Sequence, residues 1–263
     1  FFVHRNPTLA GEISRILGHA LTRFCRERCM TVERLRPALR DCPFLEVIGM
    51  GRADKTAAPS QIVVVQRFGE KVNLHAHFHV IASDGMFAMD DEGRLTFHPS
   101  PEPSEEDIIR LREYLRRRIL RRMVKLGAVP EESAREMLCR VHGGFSLDGG
   151  VRMAADDRKG LERLLRYVLR PAVSLQRLSY DAECGLVRYR MRRGDPAVLE
   201  WDAVEFLGRF AELIPPPRKH LVRYCGALGP RSRLRRAVTA AAREGFPCEE
   251  LLAGVSRGGP AVS

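Results

Sequence analysis

Three histidines at alternate positions in NLHAHFHVIASDG, residues 73–85, constrain the fold more than any other feature of the chain. Successive side chains of a strand point to opposite faces, so His75, His77 and His79 share one face and the apolar residues between them share the other. Two imidazoles at positions i and i+2 can bind one divalent ion. The pattern therefore predicts a half-buried strand that carries a metal site. The competing interpretation is a solvent-facing strand that is merely rich in histidine.

A second strand candidate, IVVVQRF at 62–68, precedes the histidines, and the intervening GEKVN predicts an antiparallel hairpin. Gln66 is the candidate third metal ligand, provided that the register places it on the histidine face. Glu70 and His75 are the substitutes. A mixed nitrogen and oxygen site with open positions favours Mg²⁺ or Mn²⁺ bound to a phosphate over a closed structural zinc site.

The rest of the chain mixes helical and strand-like segments. Residues 8–40 predict helices with Thr8 and Thr31 as caps, and an arginine-rich helix begins at a weak capping box formed by Ser104 and Asp107. GLVRYRMRRGDPAVLEW predicts a second hairpin, and a helix follows it. This order predicts an α+β fold in which helices flank an antiparallel sheet.

Three regions are expected along the chain. They are a helical segment at 1–57, a core at 58–230 and a basic tail at 231–263.

The charge of the chain favours a polyanionic partner. Lys and Arg total 44 against 33 acidic residues, which gives a net charge of +11. Such a balance is typical of nucleic-acid-binding proteins. No apolar run approaches the roughly 20 residues of a membrane span, and the seven cysteines form no CxxC pair, which favours reduced thiols in a cytosolic protein. We therefore expect no membrane partner.

Tyr167 is the candidate nucleophile if the substrate is a phosphodiester. It lies in the predicted helix LERLLRYVLRP, just off an expected buried arc and beside Arg163 and Arg170, whose guanidinium groups can meet a phosphate. The alternative role for a tyrosine in this position is packing at the edge of the core. The residues of the expected buried arc are Leu161, Leu164, Leu165, Val168 and Leu169.

Four segments resemble one known family in the same order along the chain: VVVQRFGEKVNLHAHFHVIASDGMF, GGFSLDGGVRM, ERLLRYVLRPAVSLQRLSY and PPPRKHLVRYCGALGPRSRLR. They are similar to the rolling-circle transposases of the IS-ninety-one and insertion-sequence-common-region kind, which belong to the HUH superfamily of single-strand DNA nucleases. The resemblance covers roughly residues 1–236. It implies a transposase of an insertion sequence, acting in DNA transposition and recombination.

The resemblance also implies roles for individual residues. His77 and His79 would be the paired metal ligands, on a central strand of an antiparallel sheet flanked by helices, and Tyr167 would be the nucleophile. Attack by the tyrosine on single-stranded DNA would form a 5′-phosphotyrosine link and release a 3′-hydroxyl. Strand transfer would then rejoin the ends without ATP. His75 would be an outer ligand or a phosphate contact. A small-molecule substrate is not expected, and the location would be the bacterial cytoplasm, with the nucleoid.

Two features depart from the family pattern. Arg163 stands four residues before Tyr167, where two-tyrosine members carry a second tyrosine, so the chain resembles the single-tyrosine branch. A Cys-rich zinc-binding segment that usually precedes the core is missing, and the chain begins at Phe1, which predicts N-terminal truncation.

Two alternatives to the transposase remain open at this point. A catalytically inactive DNA-binding remnant would bind single strands without cleaving them, and a structural zinc protein would hold chelator-resistant zinc.

Overall fold

The structure is a computed structural model that describes residues 6–35, 56–140, 144–154, 156–191 and 197–244. Within these ranges the chain has an α+β fold of six α-helices and eight strands, which confirms the predicted fold class. The helices are α1 (Pro7–Leu35), α2 (Glu105–Lys125), α3 (Glu131–Cys139), α4 (Arg158–Val168), α5 (Ala203–Leu213) and α6 (Arg235–Glu244). The strands are β1 (Ser60–Phe68), β2 (Leu74–Ala82), β3 (Gly85–Met89), β4 (Leu95–Pro99), β5 (Leu178–Asp181), β6 (Leu186–Arg190), β7 (Val198–Asp202) and β8 (Val222–Gly226).

The central sheet has the antiparallel order β2-β1-β8. Within the described residues the histidine strand β2 is therefore an edge strand of this sheet, and the expectation of a central strand is wrong. The hairpin predicted for β1 and β2 is confirmed. Val63 of β1 is fully buried, and Phe78 and Val80 of β2 pack into the same core, which α1 and α2 supply with leucines and isoleucines. The apolar face of the histidine strand is therefore buried against helices, as the alternation of its side chains predicts.

Helix α1 is longer than expected and begins earlier. The side chain of Asn6 accepts a hydrogen bond from the backbone N–H of Thr8 at 3.1 Å. Asn6, and not Thr8, is therefore the residue that caps the free backbone N–H groups at the start of the helix. Pro7 then occupies the first helical position, where a missing N–H costs nothing. The helix runs without interruption through residue 31, so the second predicted cap is wrong, and residues 36–40 lie outside the described part.

Helix α2 has the predicted capping box. Ser104 accepts from the Asp107 backbone N–H, and the Asp107 carboxylate accepts from the Ser104 backbone N–H. Most of its arginines are on the outer surface, but Arg116 is buried. The Arg116 guanidinium donates to the carbonyls of Met137 and Arg140, so it holds the end of α3 against α2.

A second core lies between the β5-β6-β7 sheet and helix α5. Its centre contains Tyr189, Trp201 and Phe206. Strands β6 and β7 pair antiparallel, which confirms the second predicted hairpin, although the turn between residues 192 and 196 lies outside the described residues. Val72, in the turn between β1 and β2, is fully buried in this core.

Several elements went unpredicted. Strands β3 and β4 form a separate antiparallel pair, and β5 and β8 complete the other two sheets. Helix α6 begins inside the segment predicted as a basic tail, and its Val238 packs with Leu234 and Ala227 in a small core. The division into three regions remains a prediction. Among the described residues, no helix has the length and apolar character needed to cross a membrane.

Candidate active site

The histidine face of the central sheet carries two of the predicted site residues opposite each other. Gln66 of β1 pairs directly with His77 of β2, and Val64 pairs with His79. Directly opposed residues in an antiparallel pair project on the same face. The register condition set for Gln66 is therefore met, since Gln66, His77 and His79 share one face.

The three histidines differ in exposure. His75 is exposed, whereas His77 and His79 are half-buried. Their rings form a row, with 5.4 Å between the ring centroids of His75 and His77 and 4.9 Å between those of His77 and His79. The Nδ1 atom of His77 lies 3.0 Å from the carbonyl oxygen of His75. When Nδ1 carries the proton and donates to that carbonyl, Nε2 keeps its lone pair for a ligand.

Gln66 joins the histidine strand pair to helix α4. Its side chain is almost completely buried, and its amide nitrogen donates to the backbone carbonyl of Val168. That carbonyl belongs to the last turn of α4, where carbonyl groups have no partner within the helix. The hydrogen bond therefore stabilises the end of the helix on the sheet, immediately after Tyr167.

The start of α4 is fixed as well. Asp157 caps the helix by accepting from the backbone N–H of Gly160 at 2.8 Å. Any side chain at residue 160 would meet this cap, because a Cβ atom there would lie 2.0 Å from the Asp157 carboxylate. Both ends of the helix that carries Tyr167 are thus held by specific hydrogen bonds.

Tyr167 lies against the histidine face. The ring centroids of Tyr167 and His79 are 5.8 Å apart, with the rings nearly perpendicular. The tyrosine is 47% exposed, so its ring contacts the site on one side and solvent reaches it on the other. Residues separated by almost ninety positions in the chain are therefore brought together.

Arg170 stacks on the tyrosine. The carbon at the centre of its guanidinium lies 5.1 Å from the centroid of the Tyr167 ring and 5.7 Å from that of Phe68. Its Nε atom is buried and has no hydrogen-bond partner among the described residues. Arg163 lies one helical turn before Tyr167, is exposed, and forms no ion pair within the described ranges. The two predicted DNA-contacting arginines thus have different surroundings.

The expected buried arc of α4 is partly wrong. Val168 is buried and Leu164 and Leu165 are half-buried, but Leu161 and Leu169 are 40% and 54% exposed. The helix contacts the sheet mainly through its last turn, where Gln66 binds it, and not along its full length. Outward-facing leucines at its two ends consequently remain in solvent.

The environment of His79 favours the neutral form of its imidazole. Burial lowers the pKa of His79, and the adjacent His77 and Arg170 charges lower it further. A neutral imidazole is the form that binds a metal ion. Its Nε2 atom is buried without a hydrogen-bond partner in the described structure, and so is the Oε1 atom of Gln66.

These two atoms provide a test of whether the site fits a divalent ion. Buried acceptors without partners are costly, and a bound cation satisfies them. Within the described residues no group of three or more His, Cys, Asp or Glu side chains could hold a metal ion. The donors that this face offers are two imidazoles and one amide oxygen, from His77, His79 and Gln66. Glu70, a substitute ligand in the sequence analysis, is exposed in the turn after β1.

Sequence reasoning missed two contributions to the site. Phe68, the last residue of β1, supports the guanidinium of Arg170. The Val168 carbonyl is the acceptor that fixes α4, and a backbone group gives no signal in the sequence. An aromatic residue at the end of the predicted strand was the available signal for Phe68.

Comparison with known protein families gives a match. The family model described as "Putative transposase" matches residues 61–236, which is more than half of the chain. The matched range includes both strands of the histidine hairpin, the helix with Tyr167 and strand β8. The chain therefore belongs to this transposase family. Searches among curated proteins and among solved structures gave no significant match.

Proposed function

We propose that this transposase is a metal-dependent enzyme of the HUH type that nicks single-stranded DNA and transfers the cut strand. The observation that carries the proposal is the position of Tyr167 beside His79, on the sheet face where two buried acceptor atoms have no partner among the described residues. A nucleophile next to a cation site is what an attack on a phosphodiester requires. Membership of a transposase family supports DNA as the substrate.

His77, His79 and Gln66 would hold the ion. Two nitrogen ligands and one amide oxygen, with positions left open for phosphate and water, suit Mg²⁺ or Mn²⁺. The ion, when bound, supplies positive charge that polarises the scissile phosphate and stabilises the charge developing on it. His75, at the exposed end of the row, is proposed to contact the phosphate backbone.

The residues of the chain carry the rest of the reaction. The Oη atom of Tyr167 attacks phosphorus as its proton passes to solvent, which reaches the half-exposed ring. A bond between Oη and phosphorus forms, and the bond between phosphorus and the 3′ oxygen breaks. The leaving oxygen takes up a proton, so the products are a 5′-phosphotyrosine and a 3′-hydroxyl. Attack by a second 3′-hydroxyl on the phosphotyrosine reverses these steps and completes transfer.

The arginines support this step. Arg170 stacks on the Tyr167 ring and places a positive charge beside the ring that carries the attacking oxygen. Arg163 is exposed and has no carboxylate partner in the described ranges, and it is proposed to bind a neighbouring phosphate. Arg163 stands at the position where two-tyrosine members of the family carry their second nucleophile. In this proposal Tyr167 therefore serves every strand-transfer event.

The direct test is formation of a covalent protein–DNA adduct. The protein is incubated with a pool of fluorescent single-stranded oligonucleotides and Mn²⁺, and adducts that survive denaturing gel electrophoresis are mapped by mass spectrometry. We expect adducts on Tyr167, no adduct after Tyr167→Phe, and a strong loss after His77→Ala or His79→Ala. Tyr180→Phe is the matched control, since Tyr180 is 62% exposed on β5, in another sheet.

The outcomes separate the proposal from its rival. An adduct mapped to another tyrosine, or an undiminished rate in the histidine variants, would refute the assigned roles. Salt-sensitive binding of single strands without an adduct under any divalent metal would identify a DNA-binding protein that has lost catalysis.

A further inference from the structure

The histidine face of the central sheet extends beyond the proposed metal ligands. Strand β1 pairs with both of its neighbours over Gln61–Val64, so Ile62 and Val64, its two residues on this face there, each belong to a row that crosses three strands. His79, Val64 and Val222 form one row. Ile81, Ile62 and Tyr224 form the adjacent row, two positions earlier in β1. Tyr224 therefore lies on the same surface as His79.

Tyr224 differs from its neighbours on this surface. Val64 is 4% exposed, whereas Tyr224 is 47% exposed. Ile62 and Ile81, which complete its row, are only partly buried. Ile81, Ile62 and Tyr224 thus form an apolar surface strip, called the shelf, next to the proposed site of cleavage. The aromatic ring of Tyr224 lies at its outer edge.

A positive charge borders the shelf. The guanidinium carbon of Arg235, the first residue of α6, lies 5.8 Å from the centroid of the Tyr224 ring. Within the described ranges Arg235 has no carboxylate partner, unlike Arg188 or Arg209, which form ion pairs. An exposed aromatic ring beside an unpaired guanidinium is the combination with which proteins bind unpaired nucleobases and the phosphates that join them.

The spacing suits a strand that passes through the site. Neighbouring strands lie about 4.8 Å apart and residues rise about 3.4 Å along a strand, which places the Cα atoms of His79 and Tyr224 roughly 12 Å apart. A stacked DNA strand advances about 3.4 Å per nucleotide, so this distance corresponds to about three or four nucleotides. A base on Tyr224 would then flank the scissile phosphate.

We propose that Tyr224 and Arg235 form a binding site for an unpaired nucleobase, about three or four nucleotides from the phosphate that Tyr167 attacks. The proposal rests on the proposed function for the position of the scissile phosphate. The contact with the base is stacking on the ring of Tyr224. The guanidinium of Arg235 makes a cation–π contact with that ring and an ion pair with the adjoining phosphate.

The test compares two probes that share phosphates and differ in bases. One is a fluorescent dT20 oligonucleotide and the other is a 20-mer of abasic nucleotides. Binding is measured by fluorescence anisotropy, without divalent metal and in a Tyr167→Phe background, so that no cleavage is involved. Tyr224→Leu keeps an apolar side chain of moderate size but removes the aromatic face. Tyr180→Leu is the matched control, since Tyr180 is an exposed strand tyrosine of a different sheet.

We expect Tyr224→Leu to weaken binding of dT20 by about 5- to 150-fold, the range for loss of one stacked base. Binding of the abasic 20-mer should change by less than about twofold, and Tyr224→Phe and Tyr180→Leu should both bind dT20 as the parent does. Arg235→Ala should weaken both probes and reduce the salt dependence of binding by about one phosphate contact. Unchanged dT20 binding in folded Tyr224→Leu, or equal losses on both probes, would overturn the proposal.

Folding of Tyr224→Leu is checked by circular dichroism. If the leucine variant does not fold, binding of dT20 is measured with Tyr224→Phe, which keeps an aromatic ring. In that case a loss of dT20 binding in Tyr224→Phe greater than fivefold would overturn the stacking role. The result is independent of catalysis. One outcome is that the unsubstituted protein forms no adduct with Mn²⁺ while the Tyr167→Phe background shows the base-dependent binding. In that case the proposed function fails and the base site stands.

Discussion

The side-chain amide of Gln66 donates to the backbone carbonyl of Val168, which directly follows Tyr167. One residue therefore connects the histidine strands to the helix of the proposed nucleophile. Its nitrogen is used for this contact, and its buried oxygen has no partner in the described structure. Positioning of the tyrosine and completion of the proposed metal site would thus be coupled through a single amide.

Gln66→Glu separates these two roles. A glutamate keeps an oxygen for the metal ion but has no N–H for Val168, and it places two acceptors against each other. We expect a loss of about 1–3 kcal/mol in the free energy of unfolding. If the same contact positions Tyr167, adduct formation should slow by about 5- to 150-fold. Urea unfolding and single-turnover adduct formation with Mn²⁺ measure the two effects.

Gln176→Glu is the control for this change, since Gln176 is exposed and the chemical substitution is identical. It should alter stability by less than about 0.5 kcal/mol. Parental stability and rate in Gln66→Glu would show that the contact with Val168 does not position the helix.

Arg170→Lys tests whether a planar guanidinium is needed between Phe68 and Tyr167. Lysine keeps the positive charge but cannot stack on both rings. We expect adduct formation to slow by about 2- to 30-fold, the range for loss of a cation–π contact of roughly 0.5–2 kcal/mol. Binding of dT20 should change by less than about twofold because the charge remains.

The control is Arg166→Lys, which lies on the same helix and forms an exposed ion pair with Glu162 that contributes little. Equal losses of rate in the two lysine variants would indicate a general effect on α4 and not a role for the stacked arginine.

The histidine site was predictable because its signals are local. Period-two alternation identified the histidine strand, and GEKVN identified the hairpin that brings Gln66 opposite His77. The register itself could be stated only as a condition, because a slip of one residue would have turned Gln66 to the other face.

The rest of the site depends on contacts between distant parts of the chain. Strand β8 follows β1 by more than 150 residues, is short, and lacks clear alternation, so its place beside β1 had no local signal. The orientation of α4 was predicted from apolar periodicity, which assumes burial along the whole helix. The helix is instead joined to the sheet by a hydrogen bond at its last turn, and Leu161 and Leu169 are exposed.

Asp107 should make the stability of the fold depend on pH. Burial raises the pKa of its carboxyl group, but hydrogen bonds from the Ser104 backbone N–H, Arg110 and the Ser104 side chain, with the charge of Arg28, lower the pKa to about 2 overall. Since the folded value lies below the ordinary 3.8, the carboxylate stabilises the fold fully above pH 4. This contribution is lost as the pH falls from about 4 to about 2.

Asp107→Asn should therefore lower the free energy of unfolding by about 1–3 kcal/mol at pH 7, since it removes the ion pair that links α1 to α2. The difference from the parent should shrink as the pH approaches 2. Urea unfolding at several pH values measures it, with Asp91→Asn as the control at an exposed turn. A difference that stays constant between pH 7 and pH 2.5 would contradict the role of the charge.

Arg116 should act in stability and not in DNA binding, although it belongs to the arginine-rich helix α2. It is 5% exposed and donates to the carbonyls of Met137 and Arg140 at the end of α3. Arg116→Met would leave these carbonyls without a donor. We expect a loss of about 1.5–3 kcal/mol in the free energy of unfolding, the range for hydrogen bonds from a charged group.

Arg117→Met provides the comparison, because Arg117 is the next residue of the same helix and is exposed. Its substitution should change stability by less than about 0.5 kcal/mol. The salt dependence of dT20 binding distinguishes the two roles further. A buried arginine contacts no phosphate, so its removal leaves the number of counterions released on DNA binding, and therefore the salt slope, unchanged. A reduced salt slope in folded Arg116→Met, with parental stability, would mean that Arg116 reaches the DNA and does not hold α3 in place.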